Sequence, residues 1–269
     1  MEIGKSMKLI VTSDRYEASI NMFNAFIENF NFVETEFKYQ GNPIYKYKDF
    51  YLIKIKDDLV EAYYIDKDFP EVDLVIFASK HSSKEEIPTL TVHSDGNFCK
   101  ADVGGRDYTL SIAPAQYIKS ALLFYYENCP LGYRASLEVT HHGPNLNKPS
   151  IWIEVGSTIR EWNDYNAITL ACENIINLRP VESDVTIGFG GPHYAPKFTK
   201  IVINEDVSIG HIMPKYVMDC AKEYMIEVMI KNTAPKVDYA LIDWKGTKSD
   251  FRRKIISKLD DLDIDYKKI

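Results

Sequence analysis

The stretch "KLIVTSDRYEASINMFNAFIENF" (residues 8–30) decides the fold class. Residues 8–12 are apolar with little alternation, which is typical of a strand buried on both faces of a parallel sheet. Apolar residues then recur at helical spacing over residues 16–30, and we expect Ser13 and Asp14 to cap this helix. A buried strand followed directly by an amphipathic helix is the repeating unit of α/β folds.

The alternation of strands and helices continues along the chain. Further strands are predicted in "VDLVIFAS", "TLTVHS", "SLEVTHH", "SIWIEVG", "DVTIGFG" and "VDYALIDW", and helices at residues 115–128, 161–178, 215–232 and 249–259. Residues 197–204, "KFTKIVIN", are rich in β-branched side chains and predict a less buried strand, while residues 32–65 predict a strand-rich edge region. We therefore expect an α/β fold with a mixed, mostly parallel central sheet flanked by helices, as a single compact domain over residues 1–269.

The charge balance bears on the partners. The 269 residues carry a net charge of -7, so the chain has no general attraction to nucleic acid and must meet any RNA through a local basic patch. Candidates for such a patch are Lys197, Lys200 and Lys215, and on the last predicted helix Lys248, Arg252, Arg253 and Lys254. For the last group a solvated helix face is at least as good an explanation.

The cysteines and the hydropathy indicate the compartment. Cys99, Cys129, Cys172 and Cys220 form no CxxC pair, and we expect reduced thiols rather than a disulfide framework. No segment reads as a signal peptide or a membrane span. The expected protein is soluble and cytoplasmic, and because no dimer surface is apparent we expect a monomer.

All six histidines lie between residues 81 and 211, and nearly all follow a predicted strand: His81, His93, His141, His142, His193 and His211. In open α/β sheets, ligands bind beyond the carboxyl ends of the strands, so the loops after parallel strands should bring these side chains together. Glu154 lies in the strand "IWIEVG" nearby in sequence. A cluster of imidazole and carboxylate groups suggests metal-assisted hydrolysis, because both are good zinc ligands.

The stretch "LEVTHHGP" (residues 137–144) places two adjacent histidines where a strand is stopped by Gly-Pro. Neighbouring residues of a strand face opposite sides, but here the chain is leaving the sheet. The sequence therefore leaves two arrangements open: both rings face the site, or one ring is catalytic and the other structural. A single histidine is equally well explained by a structural hydrogen-bond network.

Two loops could also bear on the chemistry. "IGFGGPHYAP" is glycine-rich directly after a strand, and the amides of Gly190 and Gly191 could stabilise an oxyanion. "HSDGNF" contains Asp95 in a tight turn, where a plain β-turn competes with a role in the site.

Five motifs together resemble the D-aminoacyl-tRNA deacylases of archaea and plants, also called D-tyrosyl-tRNA deacylases: "VHSDGN", "EVTHHGP", "SIWIEVGST", "GFGGPHYAPKFT" and "GHIMPKY". The resemblance covers residues 7–269. It implies hydrolysis of the ester bond between a D-amino acid and the 3′ end of tRNA, with zinc as cofactor. It also implies a fold similar to peptidyl-tRNA hydrolases and nucleoside phosphorylases. The corresponding residues would be His93, His141, His142, Glu154 and His193.

From this resemblance we hypothesise a zinc-assisted site, with the number of ions left open. The expected metal ligands are His93, His141, His142 and Glu154. The expected catalytic residues are His141, His142, Glu154 and His193. Gly190, Gly191 and Asp95 would form an oxyanion or substrate loop, and Lys197, Lys200 and Lys215 would contact tRNA.

Other functions remain possible at this stage. A zinc-dependent small-molecule hydrolase of the aminopeptidase or deacylase kind would share the histidines but need no tRNA. A peptidyl-tRNA hydrolase-like enzyme would cleave a related ester, and a nucleoside phosphorylase would require phosphate. A non-catalytic RNA-binding module would need a wide basic face with exposed aromatic residues, and the net acidity argues against it.

Overall fold

The structure is a computed structural model that describes residues 6–269, so residues 1–5 of the predicted domain lie outside the described residues. Its strands are β1 (Lys8–Ser13), β2 (Val33–Tyr39), β3 (Asn42–Tyr47), β4 (Phe50–Ile55), β5 (Leu74–Lys80), β6 (Thr89–His93), β7 (Gly96–Asn97), β8 (Thr109–Leu110), β9 (Ala113–Pro114), β10 (Arg134–Leu137), β11 (Ser150–Gly156), β12 (Asp184–Phe189), β13 (Val207–Met213), β14 (Thr233–Ala234), β15 (Tyr239–Ile242) and β16 (Asp265–Lys268). Its α-helices are α1 (Glu17–Asn29), α2 (Ile65–Asp68), α3 (Ala115–Asn128), α4 (Ile159–Trp162), α5 (Tyr165–Asn177), α6 (Pro196–Asn204), α7 (Tyr224–Lys231) and α8 (Ser249–Asp261). Within residues 6–269, no helix has both the length and the apolar content to cross a bilayer.

The central sheet has eight strands in the order β10-β6-β11-β5-β1-β4-β3-β2. β1 is parallel to both β4 and β5, β11 is parallel to β5, and β10 is parallel to β6. The pair β6–β11 is antiparallel, as are the pairs β2–β3 and β3–β4 at the other edge. The predicted α/β fold with a mixed, mostly parallel central sheet flanked by helices is confirmed.

A second, smaller sheet was not predicted. Its four strands run parallel in the order β13-β12-β15-β16. The sequence patterns identify individual strands but contain no information on which strands pair, so a division into two sheets could not be seen in them.

The two faces of the central sheet differ in what covers them. Ile10, Ile76 and Ile153 belong to a core cluster that also contains buried residues of α1, α3 and α5. The alternate residues, among them Phe77 and Trp152, form a separate buried cluster, in which these two rings stack with centroids 4.6 Å apart. The candidate site lies on this second face, because Glu154 is two residues from Trp152 along β11.

Several local predictions were wrong. Residues 197–204 form the helix α6 instead of a strand, because Pro196 starts a helix whose buried side chains are Phe198, Thr199 and Val202. The first helix begins after Tyr16 with no side-chain cap, and the Ser13 hydroxyl donates instead to the Asp57 carbonyl at 2.7 Å.

Two further element predictions need correction. The helix predicted over residues 161–178 is divided into α4 and α5, since Asp164 caps a new helix with its carboxylate. The end of the strand-rich region is helical, with a short 3-10 helix at Leu59–Glu61 followed by α2.

The expectation of four reduced thiols was also wrong, because Cys99 and Cys220 form a disulfide. Their Cα atoms lie 5.6 Å apart although 121 positions separate them in sequence. Only the folded chain brings them together, so the cysteine spacing could not predict the bond. Cys129 and Cys172 are free.

Candidate active site

The segment Glu138–His142 follows β10 and lies between the two sheets. Three successive backbone amides of this segment donate to β6 of the central sheet, to the loop after β12 and to β13 of the second sheet. They are Glu138 N to Val92 O at 3.1 Å, Val139 N to His193 O at 2.9 Å, and Thr140 N to Ile212 O at 3.0 Å. Side chains of this segment are therefore held where residues of both sheets can reach them.

Both rings of the histidine pair face the site. His142 has a left-handed backbone with φ of 45°, which breaks the alternation of an extended chain. The ring centroids of His141 and His142 lie 4.3 and 4.9 Å from that of His93. Of the two arrangements that the sequence left open, the structure has the first.

Glu138 lies at the centre of the cluster, and the sequence analysis missed it. Its side chain is fully buried, and its two oxygens face four histidines. The distances are 2.7 Å to His81 Nδ1, 3.8 Å to His93 Nε2, 3.6 Å to His141 Nε2 and 3.7 Å to His193 Nε2. A charged residue inside the apolar stretch "SLEVT" was the available signal, the same signal that identified Glu154 in "IWIEVG".

His81 is the closest partner of Glu138 and joins the cluster to Tyr194. It follows β5 directly, and its side chain is 5% exposed. Its Nε2 lies 2.7 Å from the Tyr194 hydroxyl, while its Nδ1 contacts Glu138. Both ring nitrogens therefore have protein partners, which fixes the orientation of the ring.

Glu154 projects from β11 toward His93. His93 lies on β6, which pairs with β11 in antiparallel register, so that Glu154 lies opposite Thr91 and Trp152 lies opposite His93. The Thr91 hydroxyl donates to Glu154 Oε2 at 3.3 Å, and His93 Nε2 lies 3.6 Å from the same oxygen. Because β6 and β11 run in opposite directions, the site lies on a face of the sheet. The expectation that the histidines follow strands that are all parallel was therefore wrong for His93 on β6 and for His141 and His142 after β10, since β10 is parallel to β6.

The cluster contains both charged and neutral groups. Burial raises the pKa of Glu138, but the adjacent His81 and the other histidines outweigh it, and the pKa falls well below the ordinary value. Burial lowers the pKa of His141 and that of His142, the latter to about 4. Burial also lowers the pKa of His193. At neutral pH these three imidazoles are uncharged, the form in which histidine binds metals and accepts protons.

The pKa of His93 and that of His81 shift in the opposite direction. Burial lowers both values, but for His81 the contact with Glu138 and for His93 the contact with Glu154 outweigh it. Each of these two histidines is thus next to a carboxylate that favours the charged form of the imidazole.

The donor atoms fit a metal ion. The nitrogens of His93, His141 and His142 all lie within 4.8 Å of one another. His93 Nε2 is buried and has no hydrogen-bond partner among residues 6–269, an arrangement that costs free energy unless a ligand uses the nitrogen. Two further groups with the same spacing are Glu138 with His141 and His193, and His81 with Glu138 and Glu154. Glu154 thus belongs to a different group from the three histidines with which it was predicted.

The predicted oxyanion loop is not supported by the backbone geometry. The Gly190 amide donates to the Met213 carbonyl at 2.8 Å, and the Gly191 amide donates to the Gly246 carbonyl at 3.1 Å. Because both donors are already bonded within the protein, they are not free to bind an oxyanion.

Asp95 is fully buried, and its carboxylate accepts from three protein donors. They are the hydroxyls of Ser111 and Ser150 and the amide of Asn145. The carboxylate holds the loops beneath the histidine pair. The segment is not the plain β-turn considered in the sequence analysis, because Asp95 forms a β-bridge with His141 and Gly96–Asn97 is the strand β7.

His211 does not join the cluster, although it lies in one of the motifs. Its Nδ1 is 3.1 Å from the Thr140 hydroxyl and its Nε2 is 3.0 Å from the Ser111 carbonyl. The ring is fully buried, and burial lowers its pKa to about 4. It is a neutral structural residue.

The three lysines predicted to contact tRNA lie at separate places. Lys197 donates to Asp243 at 2.7 Å and is therefore paired. Lys200 is exposed and borders a cavity of about 400 Å³ together with Arg134. Lys215 is exposed and borders another cavity, next to the N-terminal end of α8.

Three of the four basic residues predicted around α8 contact other groups of the protein, and the fourth, Lys254, is exposed and borders the same cavity as Lys215. Lys248 pairs with Asp219, Arg253 pairs with Asp250 at 2.7 Å, and Arg252 lies over the Trp244 ring at 4.2 Å from its centroid.

Five of the clustered residues border an open cavity, here called the histidine cavity, of about 350 Å³, while Glu138 and His93 lie beneath its surface. Its walls include Lys80, His81, His141, His142, Glu154 and His193. The arrangement offers neutral imidazoles, buried carboxylates and access to a small substrate.

Comparison with known proteins agrees with the five sequence motifs. A model of the D-aminoacyl-tRNA deacylase family matches residues 68–267. A D-aminoacyl-tRNA deacylase of Pyrococcus abyssi is 37% identical over 270 residues, covering 97% of this chain and 99% of that protein. One from Picrophilus torridus is 35% identical over 269 residues, covering 98% and 100%. The crystal structure of a conserved protein of unknown function aligns with a TM-score of 0.89 and 29% identity, covering 98% of this chain and 95% of the other. By its sequence and its fold, the chain belongs to the D-aminoacyl-tRNA deacylase family, a family of hydrolases.

Proposed function

We propose that the protein hydrolyses the ester bond of D-aminoacyl-tRNA, releasing the D-amino acid and free tRNA, with zinc bound among its histidines. The observation that carries the proposal is the buried Glu138, which faces four histidines at the floor of an open cavity in a chain of this family. Removal of D-residues from tRNA would protect translation from them.

We assign the zinc to His93, His141 and His142. Their nitrogens have the spacing of a metal group, and the buried His93 Nε2 lacks a protein partner within residues 6–269. When bound, zinc lowers the pKa of a coordinated water toward 7 and so supplies a nucleophile. The other ring nitrogen, His93 Nδ1, lies 3.1 Å from the Ser94 carbonyl oxygen, and this contact would orient the ring. Glu154 would place a carboxylate beside His93, 3.6 Å from Nε2.

His193, Glu138 and His81 would transfer the proton of the attacking water to the leaving group. Water adds to the ester carbonyl carbon, and neutral His193 accepts the proton that the water loses. Glu138 stabilises the resulting imidazolium, since its Oε1 lies 3.7 Å from His193 Nε2. The proton then passes to the ribose oxygen as the bond between carbonyl carbon and ribose oxygen breaks. His81 holds Glu138 in place throughout, at 2.7 Å.

Three further features belong to the proposal. Chirality would be read by shape, because a pocket that accepts the D-side chain misplaces the carbonyl of the L-isomer. We propose that the enzyme acts as a monomer and as one domain, and in the cytoplasm, where charged tRNA is used. The likeness to peptidyl-tRNA hydrolases and nucleoside phosphorylases stays a prediction.

The testing experiment measures tyrosine release from D-Tyr-tRNA and L-Tyr-tRNA by the full chain, before and after treatment with a chelator and with zinc added back. We expect hydrolysis of the D-ester alone, lost on chelation and restored by zinc. Titration calorimetry with zinc on the His93→Ala variant, which should bind zinc at least about tenfold more weakly, checks the metal site independently of turnover.

The two parts of the proposal fail separately. Hydrolysis of the D-ester that resists chelation would refute the zinc assignment and leave the substrate intact. Absence of hydrolysis of either ester by zinc-loaded protein would refute the substrate, and a small-molecule zinc hydrolase would become the better explanation of the cluster.

A further inference from the structure

A second cavity adjoins the histidine cavity. Its volume is about 380 Å³, and both cavities are lined by Val103, His141 and His142. We call it the disulfide cavity, because Cys99 and Cys220 form part of its wall. Each volume lies in the range of about 300–1,000 Å³ that is usual for small-molecule sites.

The disulfide cavity has apolar walls and a polar mouth. Phe98, the disulfide and Val217 supply apolar surface, and the exposed Lys100 and Asp102 supply one positive and one negative group. The loop that carries Val217 is tied to the disulfide, since the Cys220 amide donates to the Val217 carbonyl at 3.0 Å. This wall is therefore built to keep its shape.

Two large side chains that border the disulfide cavity, Val103 and Tyr216, are exposed to solvent. Val103, on the boundary between the cavities, is 57% exposed, and Tyr216, which borders the disulfide cavity, is 54% exposed. The Tyr216 ring stacks on His193 with centroids 6.5 Å apart. Exposed apolar groups gathered beside a polar site are typical of surfaces that contact a ligand.

The histidine cavity has a different chemistry away from the cluster. Its wall contains Lys80 and the hydroxyl groups of Ser79 and Ser82. The Lys80 ammonium lies 4.9 Å from the Trp162 ring centroid, so its position is supported by an aromatic ring. A cation with neighbouring hydroxyls suits the ribose and phosphate oxygens of a nucleotide.

An aminoacyl ester has two halves joined at the carbonyl carbon, and the reacting groups of an enzyme must lie at that junction. In this structure, the histidine pair lies at the junction of two cavities, both lined in part by apolar side chains, and the one beside Lys80 is the more polar of the two. We propose that the disulfide cavity is the subsite for the side chain of the D-amino acid, while the Lys80 side of the histidine cavity holds the terminal ribose and its phosphate. This inference rests on the proposed function and assigns its two subsites.

The assignment makes Val217 a specificity-determining residue. Val217→Trp narrows the disulfide cavity. The tyrosine side chain of D-Tyr-tRNA needs more of that space than the methyl group of D-Ala-tRNA. We expect kcat/KM for D-Tyr-tRNA to fall by about tenfold or more relative to kcat/KM for D-Ala-tRNA. Lys100→Trp, at an exposed position on the mouth of the same cavity, should shift the ratio in the same direction without disturbing the core.

Two comparison variants define the contrast. Val33→Trp makes the same change on β2 at a position that is 68% exposed, and it should leave the ratio of the two substrates as in the unmodified protein. Lys80→Gln should lower kcat/KM for both substrates by the same factor, because they share the same ribose and phosphate.

The outcomes separate this inference from the proposed function. If the unmodified protein hydrolyses neither D-Tyr-tRNA nor D-Ala-tRNA, the proposed function fails. If it hydrolyses both, and Lys100→Trp and a folded Val217→Trp lower the two activities equally or not at all, the subsite assignment is overturned. A change of the substrate ratio in Lys80→Gln would overturn it as well, by placing the side chain in the other cavity.

Discussion

Among residues 6–269, Glu138 is the one acidic residue whose carboxylate lies within 4 Å of both His193 and histidines of the central sheet. We expect Glu138→Gln to lower kcat for D-Tyr-tRNA by at least about 100-fold, since it removes the charge that supports proton transfer. KM should change little, because Glu138 is buried beneath the cavity. Initial-rate kinetics with both constants resolved would check this expectation.

The control for this variant is Glu71→Gln, at an exposed position outside the cluster. Turnover by Glu138→Gln within about threefold of the control, with folding verified by circular dichroism, would remove Glu138 from the mechanism.

His211 predicts how stability depends on pH. Burial lowers its pKa from the ordinary 6.5 to about 4, so between these values the unfolded chain binds a proton that the native state excludes. The free energy of unfolding should therefore fall as the pH decreases from 6.5 toward 4. In His211→Gln this dependence should be shallower by up to about 1.4 kcal/mol per pH unit. Urea unfolding at a series of pH values measures the slope, and equal slopes in both proteins would contradict the assignment.

At the residue scale, sequence reasoning found most of the cluster and missed its centre. The histidines were visible because they are few and follow strands. Glu138 was not singled out, because most acidic residues lie on the protein surface and the sequence before "VTHH" does not show that this one is buried. The availability of the Gly190 and Gly191 amides depends on partners from distant loops, which no local pattern contains.

At the scale of elements, the end of β11 positions the loop that carries His81. A Cβ atom on Gly156 would lie 2.5 Å from the His81 carbonyl oxygen and 2.8 Å from its Cβ. We expect Gly156→Ala to displace His81 from Glu138 and to lower kcat by about tenfold or more, together with a loss of stability of roughly 1–3 kcal/mol. Kinetics and thermal unfolding of the same preparation separate the two effects.

Gly132→Ala is the matched comparison. No atom lies within 4 Å of the added Cβ, but φ is 91°, so the substitution strains the backbone without touching the site. It should cost stability and leave kcat unchanged. Equal kcat values in the two variants would show that β11 does not control the position of His81.

Helices and strands were predicted well where the spacing of apolar residues was regular. They were predicted poorly where the choice between helix and strand depends on which face of the segment is buried. The strands β1, β5 and β11 of the central sheet stand out as buried, mostly apolar runs. The helix α6 was mistaken for a strand because β-branched residues are common in it, whereas Pro196 and the burial of one face determine its actual structure. The pairing of strands into two sheets depends on long-range contacts that periodicity does not report.

For the whole molecule, the disulfide predicts sensitivity to reductants. It joins residues 121 positions apart, so breaking it increases the conformational freedom of the unfolded chain. We expect a reductant to lower the free energy of unfolding by about 2–4 kcal/mol. Urea unfolding with and without reductant measures the difference.

The double variant Cys99→Ser with Cys220→Ser should show no response to reductant, while Cys129→Ser, which alters a free thiol, should respond like the unmodified protein. A response of the same size in the double variant would assign the effect to another group.

The segment Glu138–His142 is hydrogen-bonded to both β6 and β13, so the site contains residues from two separate parts of the chain. Residues 179–183 join α5 to β12, and a cut there would leave His193 and the second sheet on one fragment and the other clustered residues on the other. Neither fragment would contain a complete site, and mixing the two would be required to restore one. Catalysis in this protein is thus a direct reporter of complementation between its halves.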